Sequence, residues 1–242
     1  MIETEAEAQA FLNAIFEKPI LFNGEMVKAI LEGRKTMTRR VIKFDKLSKI
    51  KKGRLFYSST FKSWVIENKS WTKEADIEMV KCPYGEVGDR LWVRETFVNG
   101  YEYDEDGNMT KKELLLFKAD NPDMQWHDED GYMVDSITWK PSIHMPRKLS
   151  RINLEITNVR VERVQDITDE AAVKEGITEC PIPATGDHPE MIGYMAGPDD
   201  GRTGLTKYPI EAFEVLWDSI NEKRGYGWSK NPFCWVLEFK VI

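Results

Sequence analysis

Ile30 to Arg40 reads ILEGRKTMTRR, which sets one lysine, two threonines and three arginines beside a single glycine. A threonine hydroxyl is a weak nucleophile until a base takes its proton. A lysine becomes such a base when burial lowers its pKa toward neutrality. Lys35 and Thr38 stand three residues apart, a spacing that a turn can close. Arg34, Arg39 and Arg40 flank them. Neighbouring positive charge depresses a lysine further, and a guanidinium can hold a carbonyl or an oxyanion. The same residues also describe a solvated basic loop at a helix end, or a strip that meets nucleic acid. Ten basic residues and one acid, Asp45, lie between Arg34 and Arg54.

Other chemistries are easier to set aside. The histidines are His127, His144 and His188, with no HExxH spacing and no close Cys/His pairing, so no zinc site is expected. The acidic runs DEDG and DEDGN could hold Mg²⁺, but they fall in stretches that read as surface insertions. There is no GxSxG, no GxGxxG and no Walker-type GxxxxGK. We expect neither a metal nor a cofactor. The formal charge of −7 argues against a protein that coats nucleic acid nonspecifically.

The elements that must position Lys35 and Thr38 are legible around them. Ile20 to Phe22 read as extended, Asn23 as a helix cap, and Met26, Ala29 and Ile30 as the apolar stripe of a helix ending near Glu32. Gly33 falls where a left-handed cap belongs. Residues 3–17 read as a short N-terminal helix. Leu91 to Phe97 alternates like a strand, with Leu91, Val93 and Glu95 on one face and Arg90, Trp92 and Arg94 on the other. Ile152 to Val161 is a second strand whose alternation breaks near Thr157–Asn158, the mark of a bulge. Thr168 caps a compact helix that Gly176 ends. Ile210, Phe213, Leu216, Trp217 and Ile220 form the stripe of another, and Phe233 to Val241 closes the chain as a strand. Residues 43–80, 99–135 and 178–206 read as insertions, the last as a long Pro/Gly-rich loop. The whole is expected to be one mixed α/β (α+β) domain over 1–242, a small barrel decorated by helices.

The 242 residues, 41% of them hydrophobic, suffice for a packed core. No run of 18 apolar residues suggests a membrane span. The N-terminal stretch lacks the basic start and apolar centre of a signal peptide. Cys82, Cys180 and Cys234 form no CxxC and read as reduced thiols, as in a cytoplasmic protein.

ILEGRKTMTRR resembles the signature segment of the ASCH domain, a PUA-like β-barrel family. The chain order is similar too: a helix, GRKTxTxR, a GD turn before a strand, an EG helix end and a closing aromatic strand. CPYGEVGDRLWVRETF, KPSIHMPRKLSRINLEIT and ERVQDITDEAAVKEGI are similar to ASCH proteins of this size from phages and prophages. The resemblance runs in pieces from about Pro19 to Ile242. Some small ASCH proteins are amidohydrolases that remove acyl groups from N4-acylated cytosine or cytidine. The resemblance then implies that Lys35 and Thr38 are catalytic, and that the catalytic glutamate is Glu175, with Glu170 as a rival. Arg40 takes the place of the family's arginine two residues after the threonine. Arg40 and Arg34 are expected to hold substrate. Trp92 is one of several aromatic residues that could stack on a pyrimidine. His144 lies in the PSIHMP loop that could wall the pocket, where it reads as structural rather than as a base. Other ASCH proteins have been proposed to bind or cleave RNA, so an RNA- or modified-base-binding module using the 34–54 strip, with or without ribonuclease activity, stands as the alternative.

Overall fold

Both faces of the closing strand are covered. Cys234 and Val236 point one way, Trp235, Leu237 and Phe239 the other, and all five are buried. A computed structural model shows why. It describes residues 16–43, 54–58, 63–67, 77–103, 109–121, 126–127, 133–134, 138–185, 189–197 and 204–242.

In chain order, β1 (Glu17–Leu21) leads through α1 (Gly24–Leu31) to β2 (Met37–Val41). β3 (Arg54–Ser58), β4 (Ser63–Glu67) and β5 (Ile77–Val80) form an antiparallel meander. β6 (Arg90–Arg94) precedes the hairpin of β7 (Phe97–Tyr103) and β8 (Met109–Phe117), then a short ladder of β9 (Trp126–His127) and β10 (Met133–Val134). After β11 (Asn153–Arg163) come α2 (Asp169–Lys174), the hairpin of β12 (Thr178–Ile182) and β13 (Met191–Met195), α3 (Pro209–Asn221) and β14 (Phe233–Val241).

The main sheet has the order β1-β6-β11-β14-β2. β1 runs parallel to β6, and the other neighbours are antiparallel. β11 carries a register shift between Ile156 and Asn158. A bulge at this point bends a long strand. Before it β11 pairs with both β6 and β14, and beyond it with β14 alone. One face of the sheet packs Leu91, Leu154, Ile156, Leu237 and Phe239 against Val27 and Ile30 of α1. The other packs Met37, Cys234 and Val236 against α2 and α3 through Ala172, Phe213 and Trp217. Hence β14 is buried on both sides.

The fold is mixed α/β. Among the described residues the main sheet does not close into a barrel, because β1 and β2 are left as its two edges. Residues 178–206 are not simply a loop, since β12 and β13 pair there. The prolines at 181 and 183 hide that strand signal, as proline usually marks irregular chain. The N-terminal helix expected over 3–17 lies outside the described residues except at its end, where Glu17 already belongs to β1. Cys82 and Cys234 are free thiols. Among the described residues no helix is long and apolar enough to cross a membrane.

Candidate active site

Three backbone bonds fix the segment that carries the lysine. Lys35 N–H donates to Ala29 at 2.9 Å, Thr36 N–H to Lys174 at 3.0 Å, and Phe239 N–H to the Thr36 carbonyl at 2.9 Å. The first returns the chain onto α1, the second docks it on the end of α2, and the third seats it on β14. Asn23 caps α1 by accepting from Met26 N–H, and Gly33 ends it at φ +74°. Thr168 caps α2 by accepting from Ala171 N–H. Glu175 is the last residue of that turn, and Gly176 breaks away at φ +97°. Lys35 and Glu175 therefore face each other because two short helices end side by side.

The contact is direct. Lys35 Nζ donates to Glu175 Oε2 at 2.9 Å and to the Glu175 carbonyl at 2.5 Å. Lys35 is 1% exposed and Glu175 3%. Burial pushes the lysine pKa down, while the Glu175 carboxylate pulls it partly back. The amine also lies 5.7 Å from the Phe22 ring centre. This is a buried lysine held by one carboxylate, a setting in which burial makes it give up its proton more easily than in water.

Glu175 is shared. Its Oε1 accepts from Arg39 Nη1 at 3.2 Å, and Arg39 Nη2 reaches Glu162 Oε2 at 2.8 Å. Glu162 Oε1 accepts from Arg160 Nε at 2.5 Å, and Arg160 also bonds Glu238. Six side chains of alternating sign thus run from the buried lysine to the half-exposed Glu238. Burial pushes the Glu162 carboxyl up, but the bonds from Arg160 and Arg39 outweigh it and hold it below the usual carboxylate range.

A cavity of about 330 Å³ opens beside this chain. It lies between the sheet's edges, with Pro19 to Leu21 of β1 on one side and Thr38 to Val41 of β2 on the other. Phe213 and Trp217 of α3 line it as well, as does Glu175. Arg40 spans the gap, donating from Nη2 to the Leu21 carbonyl at 2.6 Å while its guanidinium lies 4.9 Å from the Phe22 ring centre. Thr38 and Glu175 share the cavity wall. Lys35 does not line it and stands one carboxylate behind.

The remaining expected residues are placed elsewhere. Arg34 is exposed, pairs with Glu32, and lines a second hollow of about 170 Å³ that shares Met26, Glu175 and Leu216 with the first. Trp92 sits between the guanidinium groups of Arg94 and Arg147, 5.4 and 5.9 Å from its ring centre, on the β6 face opposite Leu91 and Val93. His144 is exposed in a 3₁₀ turn over Ser142–His144. Neither lines the cavity. Tyr57 and Trp64 stack edge to face and wall a separate hollow with Cys82 and Val159. Glu170, the rival glutamate, is exposed. Of the ten basic residues from Arg34 to Arg54, Lys35, Arg39 and Arg40 turn inward, and 44–53 lie outside the described residues. Among the described residues no three His, Cys, Asp or Glu side chains gather as metal ligands.

Sequence reasoning missed Arg39 as the second partner of Glu175, and it missed α3 and Arg224 as walls of the cavity. The signal for Arg39 was its alternation with the apolar Met37 and Val41, which marks it as buried on the helix-covered face.

Gly176 gives a local test of this geometry. A Cβ there would meet Ala29 Cβ at 3.3 Å and Lys35 Cβ at 3.4 Å, on a backbone that side chains rarely adopt. Gly176→Ala should cost about 2 kcal/mol, seen as a Tm lower by about 4–8 °C in thermal unfolding. An unchanged Tm would show that the turn carries no such constraint.

The chain matches no family model, no curated protein and no solved structure. The fold and the site therefore define it on their own terms, as a mixed α/β protein with a buried lysine–glutamate pair behind a threonine-lined cavity.

Proposed function

We propose that the protein is an amidohydrolase that removes the acyl group from N4-acylated cytosine-type bases, on an ASCH-type, PUA-like scaffold. One observation carries the reading: the buried Lys35 is bonded to a carboxylate that shares a cavity wall with Thr38. The scaffold part is supported by the two sheet edges, which flank one cavity and are bridged by Arg40.

In this reading Thr38 Oγ1 attacks the acyl carbonyl, and its proton passes to the Lys35–Glu175 pair. Arg40 or a backbone N–H holds the oxyanion, a donor of this kind contributing about 3 kcal/mol. Collapse of the tetrahedral adduct breaks the C–N bond, and the pair returns the proton to the exocyclic nitrogen. Water then hydrolyses the acyl-threonine. Glu175 stands between the amine and the cavity, so it both orients Lys35 and carries the proton. Arg39 positions Glu175.

The test is to mix the protein with N4-acetylcytidine and follow the loss of acylcytidine absorbance. Cytidine and acetate should appear in equal amounts. An RNA-binding module would instead give no turnover and an affinity for RNA that falls steeply with salt.

The pH profile has a definite sign. A neutral amine is the active form, so the rate should rise with pH through a pKa below 10.5, the usual lysine value. Glu175 raises the lysine pKa against the effect of burial. Glu175→Gln should therefore move the rising limb to lower pH, even as it lowers the rate. A limb that stays in place would separate the titration from Lys35. Stability follows the same shift. Between the folded pKa and 10.5 the unfolded chain binds the extra proton, so Lys35's contribution to stability rises with pH over that window.

A further inference from the structure

The cavity carries a charge opposite to that of the chain. The protein has a formal charge of −7, yet the cavity walls present Arg39, Arg40, Lys43 and Arg224 against one carboxylate, Glu175. Lys35 and Arg39 already answer Glu175, and Arg39 is further held by Glu162. Among the described residues the walls hold no second carboxylate to meet Arg40, Lys43 or Arg224.

Arg40 shows the consequence. Its Nη2 is bonded to the Leu21 carbonyl, but its Nε is buried with no partner among the described residues. Burial lowers its pKa, Tyr84 and Glu175 oppose that, and the positive charge of Arg224 adds to it. A guanidinium does not deprotonate in a protein, so the repulsion persists until an anion arrives. Clefts lined with one sign of charge concentrate ligands of the other sign. Other lining residues are of another kind, with the apolar Ile20, Phe213 and Trp217 among them, the kind of lining that suits a flat ring. A ligand that suits both is a base joined to a phosphate. The volume, about 330 Å³, is at the lower end of small-ligand sites and suits a single nucleotide rather than a strand.

We propose that the substrate is a mononucleotide, its base lying toward Thr38, Glu175 and Arg40 and its phosphate held by Arg224 and Lys43. The proposal rests on the hydrolase reading for which end of the ligand reacts, while the anion site is tested without any acyl group.

The experiment is calorimetric titration of the full chain with cytidine, with cytidine 5′-monophosphate and with a short cytidine oligonucleotide. The monophosphate should bind about 10-fold tighter than cytidine or better, a difference of about 1.4 kcal/mol. The gap should narrow at about 0.5 M salt, where exposed charges are screened. It should also narrow in Arg224→Ala. Equal binding of nucleoside and monophosphate, or a gap that Arg224→Ala leaves intact, overturns the proposal. So does an oligonucleotide that binds far tighter than the monophosphate, since a strand would then be the ligand. Deacylation of N4-acetylcytidine together with equal binding sinks the phosphate site alone. Tight binding of the monophosphate without deacylation of any acylated form sinks the hydrolase reading alone.

Discussion

Lys35→Met is expected to slow deacylation of N4-acetylcytidine by about 10³-fold or more, because a general base of this kind contributes about 10²–10⁴ and Lys35 is the amine bonded to Glu175. Methionine keeps the length and much of the volume of lysine, so the site between α1 and α2 stays filled. What is lost is the amine bonded to Glu175 at 2.9 Å and to its carbonyl at 2.5 Å. Glu175 keeps Arg39 as a partner, so the variant should fold, and circular dichroism should show the native spectrum. The loss should appear in kcat with little change in KM, since Lys35 does not line the cavity and so does not bind substrate in the ground state. A Lys35→Met protein with wild-type kcat would remove lysine from the mechanism.

The largest effect on stability is expected from Arg39→Ala. Arg39 has a side chain only 1% exposed and lies between two carboxylates, Glu175 and Glu162. Removing it leaves Glu175 to Lys35 and Glu162 to Arg160, and takes one charge-assisted bond from each carboxylate, at about 1.5–3 kcal/mol apiece, so the loss should be about 3–5 kcal/mol. It also removes packing against the Phe213 ring, whose centre is 5.9 Å from the guanidinium carbon. Arg160→Ala makes the control. Arg160 belongs to the same chain of charges, but its side chain is 27% exposed, and solvent screens its pairs. That variant should lose about 1 kcal/mol or less. Urea unfolding of the two side by side measures the contrast. Equal losses would mean that burial does not grade this network.

Much of the local architecture was legible in the sequence because its causes are local. Asn23 and Thr168 announce helix starts by offering a side-chain acceptor, and both make the expected bond. Gly33 and Gly176 announce the ends by tolerating positive φ. The bulge in β11 shows as a broken alternation at the same residues where the register shifts. Lys35 and Glu175 were paired only through a family resemblance, since 140 residues separate them. The Arg39–Glu175 bond, across 136 residues, had no such guide. Composition misled in one respect. A basic strip reads as a surface, yet Lys35 and Arg39 are buried because strand alternation and the α2 contact turn them inward. Trp92 misled for a related reason, since its strand was right but its face is turned toward Arg94 and Arg147. No residue of β6 lines the cavity, because the strands that wall it are the sheet edges β1 and β2, and no local pattern encodes that.

The central claim is that the Thr38 hydroxyl is the group the buried pair activates. The most direct measurement is the initial rate of acylcytidine absorbance loss for wild type and Thr38→Ala in parallel, with folding of both checked by thermal unfolding. The account predicts steady deacylation by the wild type and a rate at least about 10³-fold lower for the folded variant. A folded Thr38→Ala protein that deacylates as fast as wild type, or a wild type that leaves every N4-acylated cytidine intact, contradicts it.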